Sequence, residues 1–209
     1  MPRSASVSTS HASSIAHGND SDEALMRDYA AGRAAAFDRL YLRHKGGVYR
    51  YLLRHCGNAA TAEEMFQDIW MNVIRVRASY VPTAKFTTWL YTLAHHRIVD
   101  HWRAHGDVKL ASVDTDDTAR ETVEALPGSC HDEPETQRAT RELGSRLRMA
   151  LATLPTEQRD AFLLQQEAGF SLAEIAELTG ARLETVKSRL RYAIQKLRVE
   201  LAPLREDLR

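Results

Sequence analysis

The sequence predicts an all-α protein, two small helical domains joined by a flexible acidic linker, and three observations lead there. Apolar residues recur at three- and four-residue intervals across residues 21–106 and again across 141–200, the spacing of one face of a helix, and the first block shows no strand pattern. Between the blocks, residues 107–140 contain two prolines, many Asp, Thr and Glu, and no sustained period. Charge follows the same division: the chain balances 28 basic against 28 acidic residues, but residues 21–106 hold twelve basic and eight acidic, residues 107–140 three and nine, and residues 141–209 twelve and ten. A length of 209 residues allows one large domain or two small ones, and this organisation selects two, at 21–106 and 141–209.

The composition, 44% hydrophobic and 27% charged, is that of a globular chain, and no apolar run approaches the roughly 18 residues of a membrane span, so no membrane insertion is expected. Residues 1–20 lack the apolar stretch of a secretory signal and any apolar period, and read as a disordered tail. Cys56 and Cys130 could form one bridge at most; free thiols in a reduced, cytoplasmic protein are the simpler expectation, with Cys130 exposed enough to oxidise.

Element by element, Asp20 and Ser21 can cap a short helix that begins with Leu25 and Tyr29 and ends near Gly32. A longer helix follows on Phe37, Leu40, Tyr41, His44, Val48, Tyr51 and Leu52, weakened at Gly46 and Gly47 and stopped at Gly57. Thr61 and Glu64 have capping-box spacing for a third helix, striped by Met65, Phe66, Ile69, Val73 and Val76 and bearing Glu63, Glu64, Gln67, Asp68 and Trp70 beside the stripe. After Val81-Pro82 a fourth helix runs from about Phe86 to His105 with Phe86, Trp89, Leu90 and Leu93 on one side. Beyond the linker, Leu143, Leu147, Leu151 and Leu154 make a helix that Pro155 stops, and Ala161, Phe162 and Leu164 mark another. Ser171 and Glu174 then form a capping box before LAEIAEL, Gly180 turns the chain, and a long helix follows with Leu183, Val186, Leu190, Ala193, Ile194 and Leu197 on one face. A short helix, a glycine turn and a long basic helix read as helix-turn-helix.

That last helix carries six basic residues and one acidic residue between Arg182 and Arg198, a charge suited to phosphates, while Thr185, Lys187, Ser188 and Arg189 near its start can reach base edges in a major groove. The fourth helix interleaves rings and cations: Lys85, Phe86, Trp89, Tyr91, His95, His96, Arg97, Trp102 and Arg103. Such a surface suits unpaired bases, by stacking on rings and tracking the backbone with positive groups. His96, Asp100 and Arg103 share one face of it, and Trp89 and Trp102 are divided equally between core and base contact. His95, His96, His101 and His105 lack the spacing of a structural zinc site, and no P-loop, GxSxG or HExxH occurs, so neither a metal nor an enzyme is expected.

Three motifs in order, AEEMFQDIWMNVIR, FTTWLYTLAHHRIVDHWR and LPTEQRDAFLLQQEAGFSLAEIAELTGARLETVKSRLRYAIQKLR, resemble the core-polymerase-binding helix, the minus-10 region and the minus-35 region of extracytoplasmic-function (ECF) RNA polymerase sigma factors. The resemblance covers residues 21–104 and 141–200 and implies that 21–106 is sigma region 2 and 141–209 sigma region 4. It implies docking of Glu64, Gln67 and Asp68 on the clamp coiled coil of the largest subunit of core polymerase, with the flap of the second largest subunit as a further contact. It implies minus-10 recognition and promoter opening through Lys85, Trp89, His96, Arg97, Asp100 and Arg103, and minus-35 recognition through Arg182, Thr185, Lys187, Ser188, Arg189 and Arg191. The implied partners are core polymerase, promoter DNA in duplex and single-stranded form, and an anti-sigma factor, with no cofactor required. Two positions depart from the family pattern: His95-His96 stands where many members have Arg-Asn, and Arg182 replaces the Ser that often caps the recognition helix. The competing reading, a stand-alone helix-turn-helix regulator, accounts for the C-terminal half only.

Overall fold

The computed structural model describes residues 21–105 and 134–202, and the expectations placed on the N-terminal tail, on most of the linker and on Cys130 fall outside them. Among the described residues there are eight α-helices, one short 3-10 turn and no strand. The first group comprises α1 (Asp22–Ala30), α2 (Ala34–Cys56), α3 (Ala59–Val76), the 3-10 turn Arg77–Ser79, and α4 (Phe86–His105). The second comprises α5 (Pro134–Ala152), α6 (Thr156–Glu167), α7 (Leu172–Thr179) and α8 (Leu183–Glu200).

Local chemistry sets most of the boundaries. Ser21 caps α1 by accepting the Ala24 N–H at 3.2 Å, and Asp22 and Glu23 complement the positive end of the helix. Gly57, at φ 69°, ends α2 in the left-handed conformation that glycine adopts without a steric cost. Ser171 and Glu174 form the expected reciprocal capping box of α7. Two boundaries differ from expectation. The cap of α3 is Asn58, whose side chain accepts the Thr61 N–H at 3.1 Å, so Thr61 lies inside the helix. Helix α5 already begins at Pro134, so residues 134–140 of the expected linker are helical.

Gly46 and Gly47 do not break α2, which is continuous. A Cβ at Gly47 would stand 2.7 Å from the Tyr91 hydroxyl, so the missing side chain is what makes room for that hydroxyl at the crossing of α2 and α4. In the first group Leu25, Met26, Leu40, Leu52, Met65, Val73, Phe86 and Leu90 form the core. Trp70, expected beside the polar face of α3, is 4% exposed, its ring against Phe37, Tyr41 and Phe66. In the second group Leu163, Leu164, Ile175, Val186, Leu190, Ala193 and Leu197 are buried.

The two groups meet along a buried seam where α6 lies against α2. Arg159 is 2% exposed and donates from Nε to Leu151 O (2.8 Å), from Nη2 to Ala152 O (3.0 Å) and Leu154 O (3.1 Å), and from Nη1 to His55 O (3.3 Å). It thereby satisfies the carbonyls that the end of α5 leaves open and ties them to α2. Beside it, Asp160 accepts the Tyr51 hydroxyl at 2.6 Å. Glu167 pairs with Arg54 and with Arg50, the latter at 2.9 Å, its backbone carbonyl accepts the Tyr91 hydroxyl at 3.2 Å, and the Tyr91 ring meets Phe170.

Candidate nucleic-acid interface

The apolar stripe of α3 is buried in the core, which turns Glu64, Gln67 and Asp68 outward. Gln67 Nε2 donates to Glu63 Oε1 at 3.2 Å, and Met71, on the same face by spacing, is 55% exposed. The result is an acidic face with one apolar side chain at its edge, shaped for a basic, partly apolar partner.

Helix α4 anchors through Phe86, Leu90, Tyr91, Ala94 and Ile98, leaving His96, Asp100 and Arg103 exposed on one side as their spacing predicts. Trp89 and Trp102 are both half-buried against the core; Trp89 packs on Tyr80 and Phe86, and Trp102 lines a cleft of about 440 Å³ shared with His55, His95, Ile98, Glu157 and Asp160. Several cations of this surface are already engaged. Lys85 reaches Glu174 of α7 at 2.9 Å, Arg103 stands 3.7 Å from Asp100, and Arg97 turns to α3, donating from Nε to Asp68 Oδ2 at 2.9 Å and from Nη2 to Glu64 Oε1 at 3.4 Å. The hydrogen bond from Lys85 and those from Ser171 hold the Glu174 carboxyl at about 2.

His95 does not join the exposed face. Its Nδ1 lies 3.0 Å from Asp160 Oδ2, and His55 Nε2 lies 3.3 Å from Oδ1, so the carboxylate stands between two imidazoles. Burial raises the cost of ionising Asp160, yet the two imidazoles outweigh it and hold the carboxyl below its ordinary range. Burial holds His55 below the ordinary imidazole range despite the pull of Asp160. No three His, Cys, Asp or Glu side chains among the described residues are placed to share a metal ion. Cys56, at the end of α2, is a free thiol that burial pushes up to about 12.

In the second group α7, Gly180 (φ 67°) and α8 form a helix-turn-helix. Val186, Leu190, Ala193 and Leu197 bury one face of α8, and Arg182, Thr185, Lys187 and Arg191 stand exposed, with Ser188 and Arg189 half-buried between them. Leu183, expected in the apolar stripe, is 42% exposed. Lys187 pairs with Glu184 at 2.7 Å, and Arg182 occupies the cap position without a capping hydrogen bond. Tyr192, half exposed under the Arg191 guanidinium, extends the face of Thr185, Ser188 and Arg189 by one helical turn. That spacing was present in the sequence, whereas no sequence signal marked Asp160 or Glu174 as partners of the first group.

Fold and surfaces together define an all-helical protein in which an acidic helix face, a ring-and-cation helix and a helix-turn-helix are carried on one chain. Sigma-70 region 2 matches residues 40–107, and Sigma-70, region 4 matches residues 145–197. The ECF RNA polymerase sigma factor SigK of Mycolicibacterium vanbaalenii is 31% identical over 182 residues, covering 84% of this chain and 87% of its own. RNA polymerase sigma factor CarQ of Myxococcus xanthus is 31% identical over 181 residues, covering 86% and 97%. Among solved structures, CnrH in complex with the cytosolic domain of CnrY matches with a TM-score of 0.61 at 20% identity, over 88% of this chain and 99% of that one. The sigma factor RpoE of Bartonella quintana, in complex with the anti-sigma factor NepR, matches with a TM-score of 0.58 at 20% identity, over 79% and 96%. The chain belongs to the ECF RNA polymerase sigma factors. No helix among its described residues is long and apolar enough to cross a membrane.

Proposed function

We propose that this sigma factor docks on core polymerase through Glu64, Gln67 and Asp68 of α3, and directs it to promoters that α8 reads at the minus-35 element and α4 reads and helps open at the minus-10 element. The observation that carries the reading is the outward placement of three chemically distinct helix faces, each with its apolar side in the core. Cations and hydroxyls of α8 suit a duplex major groove, and the half-buried Trp89 with His96 and Arg103 suits unstacked bases. In this reading residues 21–106 and 141–209 act as sigma regions 2 and 4, and the chain works in the cytoplasm without catalysing a reaction.

The engaged state of Lys85, Arg97 and Lys187 supports weak DNA binding by the free protein, with specificity arising when polymerase holds both recognition helices at a fixed spacing. Two of the matched structures are complexes with a bound partner, an anti-sigma factor in one of them, and in this reading a regulator of that kind covers these faces.

The test mixes purified protein with sigma-free core polymerase and maps RNA 5′ ends transcribed from fragmented genomic DNA of the source organism. A stable complex that initiates at sites sharing two spaced elements, and that is lost when Glu64, Gln67 and Asp68 are replaced by Ala, is the expected result. Failure of core to bind, with duplex binding by the protein alone, would transfer the reading to a stand-alone regulator.

A further inference from the structure

Arg97 stands between two surfaces that sequence assigns to different tasks. It lies on α4 beside His96 and three residues before Asp100, yet its guanidinium is held by Asp68 and Glu64, the two carboxylates of the acidic face of α3. The carboxylates are 55% and 69% exposed and the guanidinium 31%, so a basic partner can reach the carboxylates without any movement of backbone. Gln67 does not compete for them, being bonded to Glu63.

We propose that Arg97 is a shared cation: a basic surface that docks on Glu64 and Asp68 releases Arg97 to a phosphate of promoter DNA. The inference rests on the polymerase-docking reading of α3. A docking cation acts twice. It neutralises the carboxylates that hold Arg97, and it sets like charge beside the guanidinium. An exposed ion pair is weakly held, so one added cation is enough to shift it. The freed guanidinium remains on α4 beside His96, Asp100 and Arg103, where it can neutralise a phosphate and release its counterion. Because coupling between two binding sites is reciprocal, DNA held by Arg97 in turn strengthens docking at α3. Polymerase binding and promoter binding are thereby linked through one side chain, and the unbound protein keeps that cation away from DNA.

The experiment is a pair of binding measurements on the full chain. In the first, the affinity of core polymerase for wild type, Arg97→Ala and Arg97→Gln is measured without DNA. Removing the internal competitor tightens binding about twofold to fivefold, the span of one exposed ion pair. In the second, binding of a labelled single-stranded DNA of mixed sequence to the free chain is followed across a salt series. Asp68→Asn strengthens binding and steepens the salt dependence by about one counterion, and the gain vanishes in the Asp68→Asn, Arg97→Ala double variant. Core binding that is unchanged or weakened by both Arg97 substitutions overturns the proposal, as does a gain from Asp68→Asn that persists without Arg97, since that is the generic effect of removing a negative charge. Failure of wild type to bind core would instead remove the docking reading, and the DNA cycle would still decide whether Asp68 holds Arg97.

Discussion

At the scale of single residues, two positions carry more than their type suggests. Gly47 sits inside a helix, where Ala is ordinarily preferred by about 1 kcal/mol, yet a Cβ there would press on the buried Tyr91 hydroxyl. Gly47→Ala is therefore expected to destabilise the protein by about 1–3 kcal/mol in urea titration. In a Tyr91→Phe background, where the opposing oxygen is gone, the same change should cost less than about 0.5 kcal/mol. Arg159 is the second. Its guanidinium serves four carbonyls, so Arg159→Ala leaves buried acceptors without donors and should cost about 3 kcal/mol or more, read as a fall in the urea midpoint. Neither role was legible in the sequence. Gly47 looks like a weak point of a helix, and Arg159-Asp160 looks like surface charge in the polar run TEQRD, because Tyr91 against Gly47, and the His55 carbonyl and Tyr51 hydroxyl that Arg159 and Asp160 engage, come from segments distant along the chain.

Among elements, the helices were legible because period, caps and stops act locally. The Ser171 and Glu174 box and the Gly57 and Gly180 stops are satisfied within a few residues, and all three stand where their spacing placed them. Helix α3 shows how such a reading slips: Thr61 and Glu64 have the right spacing, but Asn58 offers a cap three residues earlier and the extra turn packs Ala59 against the core. The candidate faces were legible for a related reason, since the apolar stripe of an amphipathic helix names its exposed side by elimination. What spacing could not give was the pairing of exposed groups, so Lys85 and Arg97 read as free cations although each has an acidic partner on another helix. Helix α8 begins without a side-chain cap, at an Arg182 whose backbone is already extended. Arg182→Ser should stabilise the second helical group by about 0.5–1 kcal/mol, seen as a higher Tm, and should flatten the salt dependence of DNA binding by about one counterion if Arg182 contacts phosphate.

Across the whole molecule, the seam makes stability depend on pH in a defined direction. Burial keeps His55 below its ordinary value of 6.5, so the folded chain binds fewer protons there than the unfolded one. Its contribution is complete above that value and declines as pH falls through it. Asp160, also held below its ordinary 3.8, adds a second loss under more acid conditions, with the same sign. Urea titration from neutral pH downward should therefore show falling stability in two stages, the first below about pH 6.5 and the second below about pH 4. His55→Gln should abolish the first stage and reduce the second, because His55 is one of the two imidazoles that hold Asp160 down, and a first stage unchanged by that substitution would place its origin at another histidine.

The Arg159 bond to the His55 carbonyl spans 104 residues of chain, and this separation orders events during synthesis. At about 5–20 residues per second, His55 leaves the ribosome roughly 5–20 seconds before Arg159 follows. For most of that interval the nascent chain is a partial molecule in which the acidic face of α3 has already emerged while α6, which closes the seam, has yet to appear. Translation order gives the amino-terminal half a head start, free to meet other molecules before it folds against its own C-terminal half.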